Sequence, residues 1–105
     1  MPFSIIALQS DVTRISLEGD LDVFAIEALR LELLGVARRH PVHVEIELSR
    51  LRSINQRGMQ VLVSFLGSIA RLGTLITVVG LREQPLKTFK AALVDAILDA
   101  APPPN

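Results

Sequence analysis

The chain has no cysteine, no tryptophan and no tyrosine, and four phenylalanines supply all of its Phe, Trp and Tyr aromatics. Without cysteine there is no disulfide, no thiolate metal ligand and no thiol nucleophile. Without Trp or Tyr the usual stacking platforms for bases and sugars are missing. Net charge is missing too, because 11 Lys and Arg balance 11 Asp and Glu. A general nucleic-acid binder leans on a basic excess, so neutrality argues against that class and fits protein partners. Long apolar runs are also lacking. The longest, Met59 to Leu72, is too short to span a bilayer and contains Arg71. Met1-Pro2-Phe3-Ser4 carries no basic region, and the apolar stretch behind it stops by Gln9, too short for a signal peptide. The expectation is a cytoplasmic protein with no nucleic-acid partner and no direct membrane insertion.

Catalytic signatures are absent as well. There is no GxGxxG, GxxxxGK[ST], HExxH or GxSxG stretch. Ser49, Ser53, Ser64 and Ser68 have no evident histidine base, since His40 and His43 sit at polar positions elsewhere. Asp20 and Asp22 alone are too few for a metal site. These readings predict no enzyme activity, no cofactor and no metal.

Half of the 105 residues are hydrophobic, enough for one domain over residues 1–101. Residues 102–105, Pro-Pro-Pro-Asn, read as a disordered tail. Phe3 to Leu8 reads as a strand. Val12 to Glu18 alternates with Thr13, Ile15 and Leu17 on one face, close enough to the first run for a hairpin. Gly19-Asp20-Leu21-Asp22 reads as a turn, with Asp20 or Asp22 capping the next helix. Val23 to Arg39 is helical, with Ala25, Ile26, Leu29, Leu33, Val36 and Ala37 on the core stripe. Phe24, Leu31 and Leu34 point away from that stripe, either as scattered surface residues or as a patch for a partner or a second copy.

Val42, Val44, Ile46 and Leu48 alternate with polar residues, giving a strand with one wet face. Leu48 to Gln60 reads as a loop leading into a helix from Gly58 to Leu72, which Gly73 ends. Met59, Leu62, Phe65, Leu66, Ile69 and Leu72 are expected toward the core. Thr74 to Val79 is a β-branched strand, and Pro85 opens a last helix. Residues 97–100 read either as its end or as a short strand. The order predicts an α/β fold with a mixed sheet of four to five strands. It combines an N-terminal hairpin with parallel β-α-β units, and helices mainly on one face.

Two stretches at this spacing, Gly19-Asp20-Leu21-Asp22 and Leu48-Ser49 through Gly58, resemble the STAS domain of bacterial anti-sigma factor antagonists. The first resembles the family's Gly-x-Leu-Asp turn. The second resembles its strand, loop and helix opening, which typically reads Asp-Ser-Ser-Gly or Asp-Ser-Thr-Gly. The resemblance covers about residues 3 to 100. It implies a phosphoacceptor serine, modified by a partner anti-sigma kinase, at the helix mouth. Here Asn55 stands at the Asp position, Gln56 at the phosphoacceptor position and Arg57 at the next hydroxyl, and only Gly58 is kept. Neither Gln nor Arg accepts phosphate by that chemistry, and the nearest hydroxyl is Ser53.

The resemblance therefore implies a non-catalytic interaction module in bacterial transcription signalling, with its phosphoswitch absent. Its partner would be an anti-sigma factor or kinase-like regulator. Ser53, Asn55, Gln56, Arg57, Gly58, Met59 and Gln60 are the candidate contact residues. Two alternatives remain open: a small STAS subunit of a lipid ABC transporter, bound to the transporter ATPase, and a nucleotide- or anion-binding module. For the last, Arg50, Arg52 and Arg57 are the candidate residues.

Overall fold

A computed structural model describes residues 3–7 and 11–100, with the side chains of residues 7 and 95–100 left aside. Four strands and three helices follow in the order β1 (Phe3–Ala7), β2 (Val12–Leu21), α1 (Val23–Arg38), β3 (His43–Ile54), α2 (Gln56–Arg71), β4 (Leu75–Val79) and α3 (Glu83–Ala100). The strands form one sheet in the order β1-β2-β3-β4. β1 and β2 pair antiparallel, while β2–β3 and β3–β4 are parallel. The expected hairpin and two crossovers are both present.

One sheet face is apolar and carries the helices. Ile15, Leu17, Val44, Ile46 and Leu48 form a single core with Ile26, Leu29, Leu33 and Val36 of α1 and Met59, Leu62, Phe65 and Ile69 of α2. The other face is polar. Arg14 Nε lies 3.2 Å from Glu45 Oε1, and His43 Nε2 lies 2.8 Å from Thr77 Oγ1. The Glu47 carboxylate accepts from Ser49 N at 2.7 Å and from the Ser49 hydroxyl. Those bonds hold the Glu47 carboxyl below its ordinary range.

The structure corrects three expectations. Gly19-Asp20-Leu21 is not a turn but the end of β2, paired with Leu51, Ser53 and Ile54 of β3. Leu48 to Gln60 is not a loop either. β3 runs on to Ile54, and Asn55 alone separates it from α2. The register shifts twice along the β2–β3 pair, each time leaving one more residue in β3 than in β2. Buried positions therefore move from Val44, Ile46 and Leu48 to Leu51 and Ile54, and the two-residue alternation that marks a strand is lost. Leu72, expected inside, is 58% exposed, because α2 ends at Arg71 before that side chain can turn inward.

Residues 97–100 belong to α3. The proposed tail at 102–105 lies outside the described residues. Among the described residues no helix is long and apolar enough to cross a membrane.

Candidate functional site

The corner between β3 and α2 brings most of the candidate residues together. β3 ends on Ile54, which is buried, and α2 must start at once to bury Met59 and Leu62 beneath it. Asn55 takes an extended backbone and caps the helix, its Oδ1 accepting from Gly58 N at 2.7 Å. Met59 N bonds the Asn55 carbonyl at 3.0 Å. Asn55, Gln56, Arg57 and Gln60 are exposed, while Gly58 and Met59 are buried. The seven residues thus divide. Asn55, Gln56, Arg57 and Gln60 lie on the outside of the helix opening, Gly58 and Met59 anchor it, and Ser53 stays half-buried in β3.

Gly58 is there for packing. A Cβ built on it would stand 2.5 Å from Ile26 Cδ1, 2.8 Å from Ile26 Cγ1 and 3.0 Å from Ile54 Cγ1. Only a glycine lets the first turn of α2 sit this close to α1 and the end of β3.

Two further groups brace the corner. Asp20, carried by the irregular end of β2, accepts from Arg52 Nε at 3.0 Å and from Arg52 Nη2, and from Ser53 Oγ at 2.5 Å. The Arg52 guanidinium, and then the Ser53 hydroxyl, hold the Asp20 carboxyl down at about 2. Arg52 is raised in return. From α3, Gln84 clasps the backbone of Ile54. Its Oε1 accepts from Ile54 N at 3.1 Å and its Nε2 donates to Ile54 O at 3.0 Å. The side-chain amide thus completes the edge of β3 as a neighbouring strand would. Sequence reasoning marks neither Asp20 in this role nor Gln84. A Gln in the first turn of a helix gives no local sign of a strand end 30 residues earlier.

The three arginines do not converge. Arg52 is taken up by Asp20. Arg50 lines a cavity on the polar sheet face with Ser4, Arg14, Ser16 and Glu47. Arg57 lines a separate groove of about 420 Å³ between α1 and α2, with Glu27, Arg30, Leu34, Gln60 and Ser64. The Ser53 hydroxyl donates to an anionic carboxylate, so phosphate there would face like charge. Phe24 and Leu31 are exposed on α1 and do not line the groove, whereas Leu34 does.

A family model described as "Mlab, STAS domain" matches residues 5–99. The chain belongs to this STAS family. A comparison with curated proteins finds no match. Among solved structures, the anti-sigma factor antagonist SpoIIAA in its unphosphorylated form superposes with a TM-score of 0.71 at 14% identity, covering 91% of this chain and 97% of that one. A single-residue variant of RsbS from Moorella thermoacetica gives 0.72 at 18% identity over 88% of this chain and 78% of its own. The protein described as Mglu gives 0.63 at 18% identity, over 72% of this chain but 19% of its own length. The STAS chain therefore spans nearly all of SpoIIAA and about a fifth of Mglu. At these identities the likeness is one of fold, and that fold is the one found in anti-sigma factor antagonists.

Proposed function

We propose that this STAS chain is a non-catalytic, cytoplasmic interaction module of bacterial signalling that binds a regulatory protein partner through the first turn of α2. Ser53, Asn55, Gln56, Arg57, Gly58, Met59 and Gln60 form or support that contact. It is not switched by serine phosphorylation at the usual place. The observation that carries the reading is the make-up of the corner. Gly58, which the packing needs, is present, while the two positions that would offer a hydroxyl hold Gln56 and Arg57. The helix mouth has its cap, its dipole and one exposed cation, a surface suited to an acidic partner segment.

The groove beside Arg57 extends this surface along α1 and α2. The partner is an anti-sigma factor or a kinase-like regulator. Purification of the tagged chain from its native source, with mass spectrometric identification, tests this. Recovery of such a regulator by wild type but not by Arg57→Glu supports the reading. Failure to recover any partner, or equal recovery by both chains, defeats it.

A second reading is a small STAS subunit of a lipid ABC transporter. The description of the matching family, which names Mlab rather than an antagonist, favours keeping it. A transporter ATPase recovered in the same purification would decide for it.

A further inference from the structure

We infer that a second copy of this chain docks along the outer face of α1, antiparallel and related by a two-fold axis. The inner side of α1 is spent on the core through Ile26, Leu29, Leu33 and Val36. Its outer side still exposes Phe24 by 81% and Leu31 by 62%. Along that side Phe24, Ala28, Leu31 and Gly35 follow one another in steps of four, three and four residues, the seam spacing of paired helices. Large and small residues alternate on it. Beyond the helix's own backbone and the adjoining residues, no atom lies within 4 Å of where a Gly35 Cβ would stand, and Arg39 Nε, 3.3 Å from the Gly35 carbonyl oxygen, borders the hole without filling it.

Only one orientation fits large onto small. In an antiparallel pair Phe24 of one copy meets Gly35 of the other, and Leu31 meets Ala28. The two-fold axis repeats both contacts. The same register brings Arg38 of the last turn and the C-cap Arg39 to the Asp22 end of the second helix, and sets the helix dipoles in opposition. A parallel pair would stack Phe24 on Phe24, leave facing holes at Gly35, and place Glu27 opposite Glu32 on both flanks. Charge and shape therefore choose the same arrangement.

The helix has 16 residues, about 24 Å at 1.5 Å per residue. One such face falls short of the roughly 800 Å² per partner of a standard stable interface, so the dimer is weak and concentration-dependent.

Sedimentation equilibrium of the full chain, from micromolar to near-millimolar concentration, tests this. The mean mass should rise from 11.5 kDa toward twice that value. Leu31→Glu should remain monomeric throughout. Gly35→Leu puts a large side chain into the hole, where its Cβ would meet nothing outside the backbone of its own helix. It should weaken association at least about tenfold while circular dichroism shows the fold intact. A mass that stays monomeric at every concentration overturns the inference. So does a Gly35→Leu chain that associates as well as wild type or better, since that would mark an unspecific apolar patch.

Discussion

A single methyl group tells apart two glycines in the helices of this fold. At Gly58 it would press on Ile26 and Ile54, both about 99% buried. Overpacking of this kind costs about 1–3 kcal/mol, and removing a helical glycine returns about 0.5–1 kcal/mol. Gly58→Ala should therefore lower stability by about 1–2 kcal/mol, read from the denaturant midpoint. Gly35→Ala meets nothing within 4 Å and should be neutral or raise stability by up to about 1 kcal/mol. Asn55→Ala removes the bond to Gly58 N and should cost about 1 kcal/mol.

Asp20 is the residue that makes the corner sensitive to acid. Its carboxyl is held at about 2 against an ordinary 3.8, so its contribution is full above 3.8 and fades as pH falls toward 2. Thermal melts of wild type and Asp20→Asn should differ near neutral pH and converge across that window. The site is exposed, so the difference is small. A difference that grows on acidification would contradict the assignment.

Among the elements, β3 shows why part of the fold can be read from the sequence and part cannot. The order of strands and helices, the core stripe of α1 and the inner face of β3 up to Leu48 all follow from periodicity, because there each apolar side chain obeys one local spacing. Beyond Leu48 the spacing is set by pairing. Two register shifts turn steps of two into steps of three at Leu51 and Ile54, and the strand then reads as a loop. The same cause hides the end of β2, where Gly19 takes φ 71° at the second shift. The candidate residues fall near the right end of the sheet, since the Asn55 cap and Gly58 announce a helix start. Gln84 escapes because it acts across 30 residues on a backbone, not on another side chain.

Gln84→Ala leaves Ile54 N–H and C=O without their clasp. The exchange of the Ile54 amide should quicken, and stability should fall by about 1 kcal/mol. Gln84→Glu keeps an acceptor for Ile54 N but sets a carboxylate against Ile54 O, so it should not rescue the loss. Full rescue by Glu would mean that the second bond of the clasp contributes nothing.

For the whole molecule, membership in the STAS family and the fold seen in anti-sigma factor antagonists set the frame. What distinguishes this chain lies in a handful of positions. Asn55, Gly58, Ile26 and Ile54 build the geometry of the helix mouth, while Gln56 and Arg57 stand where the proposed reading expects hydroxyls. The other two arginines have other settings, Arg52 beside Asp20 and Arg50 on the polar sheet face. Arg57 is thus the cation through which a partner at the corner should be felt.

Titration calorimetry with the recovered partner, comparing wild type, Arg57→Glu and Arg50→Glu, tests this most directly. Arg57→Glu should weaken binding at least about tenfold, or about 1.4 kcal/mol, while Arg50→Glu stays near wild type. Equal affinity for wild type and Arg57→Glu, or a larger loss at Arg50, would contradict a partner bound at the first turn of α2.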